Sequence, residues 1–325
     1  MRMTRPAHHI GSTPRSLAMA MKNVGYIELP EHRGKGGFDH AAVHAASGHV
    51  YVAHTANDAV DVFDPASRKF LFSVPNLPAA SGVLVSDAAQ LIIASNRSEN
   101  TIGIFAPGPR PEVTKIAVGV HPNGLAFDAK RRVIIVANLG DSAIPDSYTL
   151  SVVDLDTRRM RTEIPLAGST RWALYDPVGD AYYVNITDPP QIVVVDGKDP
   201  SGIARVIDIP VVGPHGLDLD LATGRLFCAC DAAVLLTIEA RSGKIIDRRA
   251  LSGRPDVVFF NRHHRQLYVA VGDPGVIDVF DTTTMKRVAT VTTEPGAHTT
   301  ALAPAGDHVF AFLPASHRAA IYEVS

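Results

Sequence analysis

Short apolar runs alternate with polar turns along almost the whole chain, and the alternation recurs as a unit. Each unit opens with a turn rich in Gly and Pro, then one polar residue, then an apolar strand. A polar turn, a second apolar strand and a third strand ending near Asp follow. The unit occurs seven times, every 41 to 48 residues, opening at Phe38-Asp39-His40, Ala80-Ser81-Gly82, Pro122-Asn123-Gly124, Thr170-Arg171-Trp172, Pro214-His215-Gly216, Pro255-Asp256-Val257 and Ala297-His298-Thr299. A fixed period of about 40 to 50 residues with several short strands per period predicts an all-β chain folded as a seven-bladed β-propeller with four-stranded blades.

Unit one predicts strand A over His40-Ala41-Ala42-Val43, B over 49–54, C over Val60-Asp61-Val62-Phe63 and D over 70–74. Tight-turn residues lie between them. Unit six repeats the pattern: Tyr51-Val52-Ala53 matches Tyr268-Val269-Ala270, and Val62-Phe63-Asp64 matches Val279-Phe280-Asp281. Unit seven has A, B and C and then the chain stops. An apolar strand, Gly25-Tyr26-Ile27-Glu28-Leu29, precedes unit one without a unit of its own. It is expected to complete the last blade, so that the termini close the ring and leave no open inner edge.

The 325 residues would allow two domains by length alone, but the repeat units share one ring and cannot fold singly. Residues 23–325 are read as one domain and residues 1–22, polar and irregular, as a disordered tail. Leu17-Ala18-Met19-Ala20-Met21 is too short for a secretory core, which points to the cytoplasm. The net charge of -2 and the lack of a basic stripe argue against nucleic-acid binding. No apolar run approaches the roughly 18 residues of a membrane span. Cys228 and Cys230 lie two apart in one strand, pointing to one face, and are read as reduced core residues.

The chain resembles the YVTN family of seven-bladed propellers, and more distantly NHL and lactonase-like propellers. The residues that carry the resemblance are His121-Pro122-Asn123-Gly124-Leu125-Ala126-Phe127-Asp128, Val133-Ile134-Ile135-Val136-Ala137-Asn138, Gly213-Pro214-His215-Gly216-Leu217-Asp218 and Leu267-Tyr268-Val269-Ala270. It extends over about residues 23–325. The motif is structural, and relatives of this look include binding proteins, lactonases, lyases and cofactor enzymes, so fold does not give function.

A propeller has one place where all units converge. The polar residue opening each strand A is expected at the mouth of the central channel: His40, Ser81, Asn123, Arg171, His215, Asp256 and His298. Behind it a second ring is expected from the ends of the B strands, with His54, Asn96, Asn138, Asn185 and Asp231, then Gly272 and Pro314. His215, Asp256, His298 and His40 fall in four consecutive blades. Three imidazoles and a carboxylate on one arc form a candidate first shell for a divalent transition metal, Zn, Mn, Fe or Cu. Solvated side chains in a wet channel are the alternative. Arg171 and Asn123 on the opposite arc suit a carboxylate or developing oxyanion, with Ser81, Asn138 and Asn185 as further substrate contacts. The lactonase-like propellers use mainly carboxylates and Asn for metal, so the His-rich arc departs from their pattern. His317, in a loop of blade seven, is a further candidate. The long loop 139–148 of blade three is read either as a gate or as an idle insertion.

Two functions follow. One is a metal-dependent hydrolase or lyase acting on a small carboxylate- or lactone-type substrate, with Arg171 anchoring it and Asp256 or a histidine moving the proton. The other is a non-catalytic YVTN-type propeller that binds a small molecule, peptide or protein on its channel face.

Overall fold

Strands B and C read as near-continuous runs of β-branched and aromatic residues, such as Val133–Asn138 and Gln191–Asp196. Such runs suit a sheet covered on both faces. A computed structural model describes residues 21–324, which form seven antiparallel four-stranded sheets. The inner strand of each sheet packs against that of the next, and the last packs against the first, closing a seven-bladed propeller. Blade 1 comprises Phe38–Val43, Val50–His54, Ala59–Asp64 and Lys69–Val74 as strands A to D. Blades 2 to 6 repeat it, with strands A at Ala80–Ser86, Pro122–Asp128, Thr170–Asp176, Pro214–Asp220 and Pro255–Asn261. In blade 7, Thr300–Leu302, His308–Leu313 and Arg318–Glu323 form A to C.

Strand D of blade 7 is Lys22–Glu28, which pairs antiparallel with Arg318–Glu323. The closing strand therefore begins at Lys22, three residues before the start read from the sequence. The apolar span was visible there, but the backbone pairing of Lys22 with Glu323 carries no hydrophobic signal. Most of the expected tail over 1–22 lies outside the described residues.

The period-2 alternation distributes the core between blades. Tyr51 and Ala53 face blade 2, while Val50 and Val52 face blade 7. The buried apolar residues accordingly fall into seven clusters, one at each junction between neighbouring blades. The junction of blades 7 and 1 contains Ile27 and Leu29 of the closing strand against Phe38 and Phe63. Cys228 and Cys230 are buried free thiols on one face at the junction of blades 4 and 5. Turns are fixed by aspartates. Asp128 Oδ1 accepts the N–H groups of Lys130 and Arg131, and Asp281 Oδ1 those of Thr283 and Thr284.

Two local devices create the channel mouth. In blades 1 to 6 the A–B pairing carries an extra residue on strand A, next to its first pair; between Pro122 and Leu125, for example, three steps on A oppose two on B. A bulge of this kind re-aims a side chain, here the second residue of strand A. The residue after it is glycine in blades 2, 3 and 5. A Cβ at Gly124 would lie 2.6 Å from the carbonyl oxygen of Arg171, and at Gly82 and Gly216 it would overlap the carbonyls of Asn123 and Asp256. Consecutive inner strands thus approach backbone to backbone.

The closing strand makes a quantitative prediction. Ile27 is 1% exposed and Tyr26 is 50% exposed, although they are neighbours. Ile27→Ala should cost about 2–5 kcal/mol in equilibrium denaturation, and Tyr26→Ala less than about 1 kcal/mol. Equal effects would mean that the strand does not seal the ring.

Candidate functional site at the channel mouth

The strand registers identify which residues are equivalent. Phe38 pairs with His54, Ala80 with Asn96, Pro122 with Asn138, Thr170 with Ile186, Pro214 with Cys230 and Pro255 with Val271. The ring residue is the one after each of these openers. In blade 1 that residue is Asp39, and the expectation of His40 in this slot is corrected by one position. The constant spacing from opener to end of strand B was the available signal. His40 instead occupies the slot of Gly82, Gly124 and Gly216. Lying one step further in, it meets Trp172, which fills the same slot in blade 4, with ring centroids 4.3 Å apart. Phe259 of blade 6 lies edge-on to Trp172 at 6.4 Å. His40 is buried, and burial lowers its pKa, with Asp39 opposing, so the ring is neutral at pH 7.

Above these aromatic rings lies a cavity of about 260 Å³, lined by Asp39, Arg97, Asn123, Arg171, His215 and Asp256 together with Leu139, His40 and Trp172. The sequence singled out five of these residues: His40, Asn123, Arg171, His215 and Asp256. Arg97 was missed. It follows strand B of blade 2 and reaches sideways, donating from Nη2 to Asn123 Oδ1 at 2.7 Å and to Asp39 Oδ2 at 3.2 Å. Leu139 and Asp231 also immediately follow their B strands. In blades 2 and 3 the wall is therefore built one residue beyond the expected Asn96 and Asn138, whereas Asp231 stands where the sequence put it. Of the long blade 3 loop, Leu139 alone lines this cavity.

The expected second-ring amides do not reach the mouth. Asn138 is fully buried and its Nδ2 donates to Thr149 and Ser151 hydroxyls. Asn185 is fully buried and donates to the backbone oxygen of His215 at 2.7 Å, tying blade 4 to blade 5. Ser81 is fully buried and donates to Ala79 O. His317 lies elsewhere, on the closing seam, edge-on to His32. There His32 Nδ1 is 2.7 Å from His54 Nε2, and His54 Nδ1 is 2.6 Å from Asp61 Oδ2. This buried hydrogen-bonded chain links the segment before blade 1 to its strands B and C.

Electrostatics organise the mouth. His215 Nδ1 is 2.8 Å from Asp231 Oδ1, and its Nε2 is 3.3 Å from Asp256 Oδ1. Burial disfavours the imidazolium, but Asp256 and then Asp231 outweigh it and push the pKa up to about 9. Burial likewise opposes the Asp256 carboxylate, yet the charge of His215, followed by His298, holds its pKa well below the usual range. Asp231 also pairs with Arg254 at 3.0 Å, and Asp39 with Arg97. Each carboxylate around the cavity thus has a cation. Arg171 is the cation without a carboxylate: among the described residues it makes no ion pair, and its recorded hydrogen bond runs from Nη1 to the backbone oxygen of Thr170 at 3.2 Å. Burial lowers its pKa, against the attraction of Asp231, but a guanidinium stays charged at neutral pH.

The donor arrangement does not fit the metal arc read from the sequence. Both ring nitrogens of His215 face carboxylates, at 2.8 Å and 3.3 Å. His298 Nδ1 is hydrogen-bonded to Gly296 O, its Nε2 is 3.8 Å from Asp256 Oδ2, and the His40 ring packs tilted at 46° against Trp172. Among the described residues no group of three or more His, Cys, Asp or Glu is placed to hold a metal ion. Sequence places these residues in neighbouring blades but does not set the rotamers that turn His215 into an ion pair.

No protein-family model and no curated protein matches the chain. Among solved structures it is similar to a chain in the crystal structure of the mitotic checkpoint complex, with a TM-score of 0.80 and 9% identity over 100% of this chain and 98% of that one. It is also similar to a chain of Kuenenia stuttgartiensis hydrazine synthase, with a TM-score of 0.77 and 14% identity over 96% of this chain and 99% of that one. Likeness at such identities shows the seven-bladed fold alone. Among the described residues no helix is long and apolar enough to cross a membrane.

The His215 pair yields a pH prediction. Its folded pKa of about 9 lies above the ordinary histidine value of about 6.5, so its stabilisation is fully present below about pH 6.5 and is lost as pH rises through about 9. The stability difference between the wild type and His215→Gln should therefore shrink over that interval. A side-chain NMR titration placing the His215 midpoint at or below about 6.5 would refute the double ion pair.

Proposed function

We propose that this chain is a ligand-binding propeller of YVTN-like type whose channel mouth takes a small carboxylate. The observation that carries this reading is Arg171. It is half-buried, projects from the bulge of blade 4 into a polar cavity, and has no carboxylate partner among the described residues. A guanidinium held in this way supplies two parallel N–H donors to a planar anion. Arg97 adds a second cation on the same cavity, and its Nε is buried without an acceptor among the described residues. The likeness of Pro122-Asn123-Gly124 and Leu267-Tyr268-Val269-Ala270 to YVTN repeats supports the family reading. A metal-dependent hydrolase or lyase at this mouth has no such support, because its intended ligands are engaged with one another and with backbone.

Butyrate provides a first probe. It should bind the wild type saturably, and higher ionic strength should weaken binding. Arg171→Ala should weaken it at least about tenfold, the scale of a hydrogen bond to a charged group. Arg171→Lys should restore it only in part, because the charge returns without the fork. Calorimetric titration that finds the same affinity in the wild type and Arg171→Ala would overturn the assignment.

A further inference from the structure

The mouth is only the upper part of the channel. Beneath it lies a second cavity of about 190 Å³, to which Ala42, Val85, Leu125, Ala173 and Phe259 contribute apolar walls. His40 and Trp172 line both cavities. A polar, cationic compartment and a compartment with largely aliphatic walls therefore meet at one indole and one neutral imidazole. The apolar walls come from strands A, whose following residues turn into the blade junctions. Leu125 and Ala173, for instance, belong to the core clusters of blades 2–3 and 3–4. The lower walls are thus fixed by the core of the ring.

We infer that the ligand is an amphipathic monocarboxylate: its carboxylate sits on Arg171 at the mouth and its short apolar tail passes beside Trp172 into the chamber below. This rests on the carboxylate reading of the mouth and adds the class of molecule attached to that head group. Arg171 and Trp172 are adjacent in sequence and straddle the boundary. A single bulge thus presents the head-group cation and the aromatic surface along which the tail lies. A polar tail would forfeit water against Val85, Leu125 and Phe259. A tail that outgrows this chamber of about 190 Å³ must pass Val85, Leu125 and Ala173, which also line a further cavity of about 300 Å³.

The test is a homologous series. Straight-chain carboxylates from acetate to decanoate are titrated by calorimetry, and Trp172 emission is followed in parallel. The chain has one Trp, so any emission change reports this position. The dissociation constant should fall about fourfold per added methylene, from about 0.8 kcal/mol per buried CH2. The series should level off once the chamber is filled, and emission should shift with the tail-bearing members. Ala42→Leu, which narrows the chamber, should abolish the length dependence. A flat series in which binding still requires Arg171 would overturn the tail and leave the carboxylate reading intact. If alcohols of the same lengths show the same dependence as the acids, the head-group reading fails instead. Length dependence that survives Ala42→Leu without a change in Trp172 emission would place the tail elsewhere and overturn the inference. Absence of binding across the whole series would overturn both readings. The wild-type series stands even if Ala42→Leu does not fold.

Discussion

Each blade of this protein is apolar on both faces, and that single constraint governs the rest. Strands B and C are buried on both sides, so no sheet is complete without a neighbour on each flank. Seven sheets meet this requirement only as a closed ring, and the ring closes only when Lys22–Glu28 joins the last blade. Burial of Ile27 and Leu29 against Phe38 and Phe63 is therefore continuous with the core at every other junction. The centre of such a ring is crowded, and glycine at Gly82, Gly124 and Gly216 lets consecutive inner strands touch through their backbones. The bulges beside Gly124 and Gly216 then turn Asn123 and His215 towards the axis. A hydrophobic requirement at the periphery thus ends in a polar ring at the mouth.

Within that ring, charges pair by proximity. A half-buried carboxylate beside a half-buried imidazole favours both charged forms, which is why His215 gains a proton while Asp256 resists one. Asp39 is neutralised by Arg97 in the same way, and Asp231 by His215 and Arg254. The residual field at the mouth is therefore that of Arg171. Mutual neutralisation of the other groups makes the site selective for sign without making it strongly charged.

Much of the fold was legible in the chain because its signals are periodic and local. The seven openers, the turn aspartates and the orphan strand at Tyr26-Ile27-Glu28-Leu29 can be counted without coordinates. The site was legible as a set of positions and much less as a set of contacts. His40 stood one residue out of register because Phe38-Asp39-His40 offers two polar candidates, and pairing of Phe38 with His54 decides between them. Arg97 escaped because its side chain crosses to blades 1 and 3, a reach that depends on rotamer and not on spacing. Asn138 and Asn185 look like site residues from their place near the end of strand B. Their Nδ2 groups instead donate to buried hydroxyl and backbone partners.

The same reasoning explains why the solved structures of this shape carry so little information about what this chain does. At 9% and 14% identity the shared features are blade number and strand order, which follow from the two-sided apolar sheets and constrain no particular mouth residue. In blades 2, 3 and 5 a Cβ in the inner-strand slot after the bulge would strike the backbone of the next strand. Glycine suffices there for packing, as blades 2, 3 and 5 show. Blade 6 fills the same slot with Val257, which is 1% exposed and packed in the interior. Blades 1 and 4 place His40 and Trp172 there, and the two rings meet in the channel directly beneath Arg171. An aromatic pair set under an unpaired guanidinium, in slots where the fold accepts glycine, is a local departure from the repeat, and recognition of a ligand supplies a physical reason for it.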